Sequence, residues 1–120
     1  MPNGTHVSGV VDWAGGERRR RQLEAESSRI VAALPELGVQ RALLFGSFAE
    51  GSVGVSSDLD LILIVPTTES FPERCARFYQ ALAPTVGMDL LVYTPEEFEV
   101  LRRRPFFRQA LARARVIYAK

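Results

Sequence analysis

The stretch Leu44–Val65, LFGSFAEGSVGVSSDLDLILIV, decides the fold. Its second half, DLDLILIV over residues 58–65, is the strongest strand signal in the chain, a short apolar run of the kind buried in a sheet. Asp58 and Asp60 stand at the head of that run. Side chains alternate along a strand, so the two carboxylates share a face, with Cα atoms roughly 7 Å apart. Unpaired carboxylates at the edge of an apolar strand repel each other and lose hydration. A divalent cation between them relieves both effects. An oxygen-only ligand set favours Mg2+ or Mn2+ over zinc.

Working outward, RALLF (41–45) is a second, short strand, broken by Gly46, with a short helix starting near Ser47. SFPE (70–73) has the form of a capping box and opens a helix that runs to about Ala83. MDLLVY (88–93) is a third strand. TPEE (94–97) is a second capping box, with Pro95 at the first helical position, where its missing N–H costs nothing. That helix ends before Pro105; FFRQALARA then reads as a last helix and RVIYA as a short final strand. Upstream, Leu23, Ile30, Val31 and Leu34 share one face of a helix that starts at Glu17 and stops at Pro35 and Gly38. Its ERRRRQ segment (17–22) reads as a solvated face. Residues 1–16 hold glycine at 4, 9, 15 and 16 without a sustained period, and are expected to form a flexible tail ahead of one domain over 17–120. Strands covered by helices in this order predict an α/β (α+β) domain, a small mixed β-sheet of three to four strands flanked by helices.

Composition narrows the function. A chain of 120 residues holds one domain, and its 47% hydrophobic content can build a real core. Fifteen basic and fourteen acidic side chains give a net charge of +1, which argues against strong nucleic-acid binding. The single cysteine, Cys75, cannot form an internal disulfide, and the N-terminus lacks a signal-peptide pattern; a reducing, cytoplasmic setting is expected. No apolar run reaches the roughly 18–20 residues that span a bilayer. His6 has no His or Cys companion at ligand spacing, which argues against zinc. Cys75 has no adjacent base, and no catalytic histidine is placed to activate Ser47 as a nucleophile. Phe106, Phe107 and Tyr118 read as core residues rather than partner anchors.

Asp89 repeats the pattern of the opening stretch, a carboxylate ahead of an apolar run. If its strand neighbours the first, three carboxylates converge. Three acids around hydrated Mg2+ suit in-line phosphoryl or nucleotidyl transfer. The glycine turn supplies the other half. Gly46 lets the backbone approach a phosphate, and amides at the following helix start, with the Ser47 hydroxyl, can donate to phosphate oxygens. The spacing is G-S-x10-D-x-D, which is neither a Walker motif nor the dinucleotide fingerprint.

Gly46, Ser47, Asp58 and Asp60 in this spacing, with Asp89 on the third strand, resemble the DNA polymerase beta-type nucleotidyltransferase superfamily. The short length, the TPEEFE helix start and the FFRQALARARVIYA ending resemble its minimal members, over about Glu17 to Lys120. The resemblance implies a nucleotidyltransferase fold and transfer of a nucleoside monophosphate from a nucleoside triphosphate, with ATP as the expected substrate. It implies Asp58, Asp60 and Asp89 as catalytic and metal-binding residues and Gly46 and Ser47 as the nucleotide cradle. Many minimal members pair with a small helical partner as a toxin–antitoxin couple, which implies an antitoxin that adenylylates a toxin-like protein. Family members often carry Arg where this sequence has Glu50, and an acid beside the phosphates opposes triphosphate binding. Two rivals stand beside this reading: transfer to a small molecule such as an antibiotic, and a non-catalytic module that neutralises its partner by contact.

Overall fold

The computed structural model describes the backbone of residues 4–120 and side chains from residue 15 onward. Four strands, β1 (Arg41–Phe45), β2 (Leu59–Ile64), β3 (Met88–Tyr93) and β4 (Arg115–Ala119), form one mixed sheet in the order β3-β2-β1-β4. β2 runs antiparallel to β1 and parallel to β3, while β4 is antiparallel to β1. Among the described residues five α-helices accompany the sheet, α1 (Gly4–Ala33), α2 (Gly46–Glu50), α3 (Phe71–Leu82), α4 (Pro95–Leu101) and α5 (Pro105–Arg113), with a 3-10 turn over Pro35–Leu37. The α/β reading of the sequence holds, with a mixed sheet of four strands flanked by helices.

Alternation along β2 explains why its sequence is apolar on both faces. Leu59, Leu61 and Leu63 enter the larger core with Leu23 and Ile30 of α1, Leu34 just after it, and Phe78 and Leu82 of α3. Ile62 and Ile64 enter the smaller core with Leu43 and Phe98, edged by Phe107 and Leu111 of α5. A strand covered on both sides needs no polar alternation. Both capping boxes form: Ser70 with Glu73 at α3, and Thr94 with Glu97 at α4. Glu97 also receives the buried Arg74 guanidinium, which donates to the Glu69 and Val92 carbonyls and so ties α3 to β3 and α4. Among the described residues no helix is long and apolar enough to cross a membrane.

The structure departs from the sequence reading at the N-terminus. Of the tail expected over residues 1–16, residues 1–3 lie outside the described residues, while α1 begins at Gly4 rather than Glu17. Glycine weakens a helix, and that is why it read as a boundary. Gly15 and Gly16 do something else here. A Cβ on Gly15 would lie 2.1 Å from Val55 Cγ1, and one on Gly16 would lie 2.7 Å from the Val53 carbonyl oxygen. The two glycines let α1 pack directly on the loop between α2 and β2.

Glu26 anchors α1 elsewhere. It is buried, takes two hydrogen bonds from Arg29 at 2.8 and 2.9 Å, and accepts the Thr85 amide of the loop after α3. Hydrogen bonding from Arg29 outweighs burial and lowers its pKa to about 2. A depressed carboxylate stabilises the fold above its unfolded pKa, and that stability disappears as pH falls through the folded value. We expect Glu26→Gln to cost about 2 kcal/mol at pH 7, within the roughly 1–3 kcal/mol of a buried hydrogen bond to a charge. The gap to wild type should close between about pH 4.5 and 2. Urea melts across that range test this, and a gap independent of pH would rule it out.

Candidate active site

The parallel register of β2 and β3 pairs Asp60 with Asp89, and the antiparallel register of β1 and β2 pairs Phe45 with Asp60. Phe45, Asp60 and Asp89 therefore stand in one row on the face covered by α4 and α5. Asp60 heads the same column as Ile62 and Ile64. Its carboxyl is half-buried and held above the usual aspartate range, first by desolvation, then by the hydrogen bond and charge of Asp89, then by the charge of Asp58. Two carboxyl groups this close hold a proton or a cation between them.

Gly46 explains how the site is packed. Its φ of +73° is left-handed, and a Cβ there would lie 2.1 Å from Asp60 Oδ2. Only glycine lets the turn after β1 lie against this carboxylate. The Ser47 hydroxyl, one residue on, donates to Ser57 Oγ at 2.9 Å, and Ser57 Oγ accepts the Gly54 amide. Ser47 thus ties the glycine turn to the loop that delivers the aspartates.

Asp58 is placed differently from its expected position. It precedes β2 rather than opening it, and lies beside Gly87, where a Cβ would come within 2.5 Å of Asp58 Oδ1. Its carboxylate accepts from Arg19 of α1 at 3.0 Å, while Arg19 Nε donates to the Ser57 carbonyl at 2.7 Å. Arg20 donates to the Gly51 carbonyl. The ERRRRQ segment is therefore not a solvated face throughout, because these two arginines fold back over the loop. Among the described residues no group of three or more His, Cys, Asp or Glu side chains is set to hold a metal ion. The expected triad is thus a close pair, Asp60 with Asp89, plus Asp58 engaged by Arg19.

A family model described as a nucleotidyltransferase domain matches residues 27–119. The chain belongs to this nucleotidyltransferase family. Among curated proteins no relative matches. Among solved structures, a toxin–antitoxin with AMP-PNP is 20% identical, with 78% of this chain and 73% of that chain covered and a TM-score of 0.51. A toxin–antitoxin MntA-HpeT mutant is 18% identical over the same shares, with a TM-score of 0.50. At these identities the likeness is one of fold.

In this nucleotidyltransferase the donor set fits Mg2+, which commonly takes one or two carboxylates and completes its shell with water and substrate phosphates. Asp60 and Asp89 supply such a pair. Two contributors were missed in the sequence: Arg19, which lies 39 residues from Asp58, and Gly87, whose missing side chain leaves room for the Asp58 carboxylate. Gly87 was findable, because it precedes Asp89 by the same interval that separates Asp58 from Asp60. Arg19 engages the Asp58 carboxylate that a cation would need. We expect Arg19→Ala to tighten Mg2+ binding about threefold to tenfold, the scale of about 1 kcal/mol for a part-exposed ion pair. Calorimetric Mg2+ titration checks this, and weaker binding in the variant would show that Arg19 positions Asp58 rather than occupying it.

Proposed function

We propose that this nucleotidyltransferase moves AMP from ATP onto a hydroxyl of a partner protein, as the antitoxin of a toxin–antitoxin pair in the cytoplasm. The observation that carries the reading is the side-by-side placement of Asp60 and Asp89, with the Gly46 backbone against Asp60. Asp58, Asp60 and Asp89 would hold Mg2+, which when bound offsets the charge of the triphosphate and of the leaving group. The Gly46 turn, braced by Ser47 and set against Asp60, would cradle the triphosphate as it approaches these carboxylates. Asp89 is exposed on the edge strand β3, open to an incoming acceptor. The acceptor oxygen bonds to the α-phosphorus, the bond from that phosphorus to the α,β-bridging oxygen breaks, and pyrophosphate leaves. Asp89 takes the hydroxyl proton, as a positioned carboxylate base.

The protein acceptor is supported by two structural neighbours that are toxin–antitoxin structures, one with AMP-PNP. On this reading a small helical, toxin-like partner would present its hydroxyl at the open β3 edge. Contact-only neutralisation has one observation in its favour, since Glu50 lines the same cavity as Gly46. Intact-mass spectrometry of the co-purified partner after incubation with ATP and Mg2+ decides between them. One AMP increment on the partner is expected. An unchanged partner mass with ATP bound would favour contact alone, and label on a small molecule would favour a small-molecule transferase.

A further inference from the structure

α5 is the least explained element of the fold. It has no fully buried residue, and Phe106 is 77% exposed, against the core role its sequence suggests. Phe106, Gln109, Ala110 and Arg113 recur at helical spacing and line one cavity of about 290 Å3 with Gly46 and Glu50. Phe106 also lines an adjoining cavity of about 520 Å3 that contains Asp60, Asp89 and Leu91. The ring of Phe106 meets Phe107 edge-on, with centroids 6.0 Å apart and planes at 89°. Phe106 and Arg113 lie two turns apart on one stripe, about 10 Å along the helix axis. The acidic pair shares a cavity with Phe106 but not with Arg113, whereas the glycine turn shares one with both.

The charge distribution points the same way. Residues 101–120 contain six arginines and one lysine with no acidic residue, so the net charge of +1 conceals a basic C-terminal segment. Among the described residues Arg113 has no ion-pair partner, although Glu50 shares its cavity. A guanidinium is a bidentate donor suited to phosphate oxygens.

Resting on the nucleotidyltransferase reading, we propose that α5 spans the bound nucleoside triphosphate, with Phe106 stacking on the base and Arg113 binding the terminal phosphates opposite Gly46. Arg113 thereby offsets the repulsion from Glu50. The base lies in the larger cavity, the α-phosphorus beside Asp60 and Asp89, and the outer phosphates in the smaller one.

Two probes separate the two ends: MgATP and Mg-tripolyphosphate, titrated calorimetrically into the full chain. Arg113→Gln should weaken both about tenfold, with partial rescue in Arg113→Lys. Phe106→Ala should weaken MgATP about tenfold and leave tripolyphosphate unchanged, the range for losing one base–aromatic stack. Melting temperatures near wild type are expected, because both side chains are exposed. Wild-type affinity for both probes in Arg113→Gln would overturn the phosphate assignment. Equal changes for both probes in Phe106→Ala, or none, would overturn the base assignment. A wild-type chain that binds neither probe would remove the proposed transfer activity, and this proposal with it.

Discussion

Asp60→Asn is expected to lower nucleotide transfer by about a thousandfold, the scale for removing a group that stabilises charge in the transition state. The same change should raise the melting temperature of the metal-free protein. Asp60 is half-buried, desolvated and pressed against Asp89, and its carboxyl is held above the ordinary range. A carboxylate with a raised folded pKa destabilises the fold at any pH above that value. The penalty fades as pH falls through it, and is gone below the unfolded value near 3.8. Asparagine removes the charge and keeps the shape, so a gain of about 1 kcal/mol, or about 4 °C, is expected at pH 7. The gain should vanish on acidification toward pH 4. Calorimetric melts at pH 7 and pH 4 provide the stability test, and transfer from labelled ATP provides the other. Full transfer activity in the variant would remove Asp60 from the chemistry. An unchanged melting temperature would mean that the Asp60–Asp89 contact carries no net strain.

Gly46→Ala should damage stability and activity together. Its φ of +73° alone costs a non-glycine residue about 1–2 kcal/mol. The new methyl would also stand 2.1 Å from Asp60 Oδ2, so the turn or the carboxylate must move. Displacing a catalytic group by about 1 Å costs on the order of a hundredfold in rate. Gly51→Ala isolates the backbone part of this effect. Gly51 has a similar φ of +83°, and nothing lies within 4 Å of the place its new methyl would take. That control should lose stability by a similar 1–2 kcal/mol, roughly, and retain its transfer rate. If Gly46→Ala and Gly51→Ala transfer AMP equally well, the close approach of Gly46 to Asp60 has no catalytic consequence.

Much of the fold follows from short-range signals. The period and length of DLDLILIV, RALLF and MDLLVY identify three strands, and the two capping boxes place the starts of α3 and α4 at Ser70 and Thr94. These features depend on residues within one or two turns of each other, which a linear reading can follow. The proximity of Asp58, Asp60, Gly46 and Ser47 was also legible, because the spacing of the glycine turn and the first two acids spans a single connection. Other features depended on register and distance. Only the parallel pairing of β2 with β3 makes Asp60 the neighbour of Asp89, and no local pattern specifies that alignment. Only the packing of α1 brings Arg19 to Asp58 and turns Gly15 and Gly16 from apparent helix breakers into contact points. Phe106 and Phe107 are adjacent in sequence and equally apolar, yet Phe107 edges the smaller core while Phe106 faces solvent beside the carboxylates. That division is set by where the rotation of α5 leaves each side chain against the sheet, and rotation about a helix axis is fixed by tertiary contact alone.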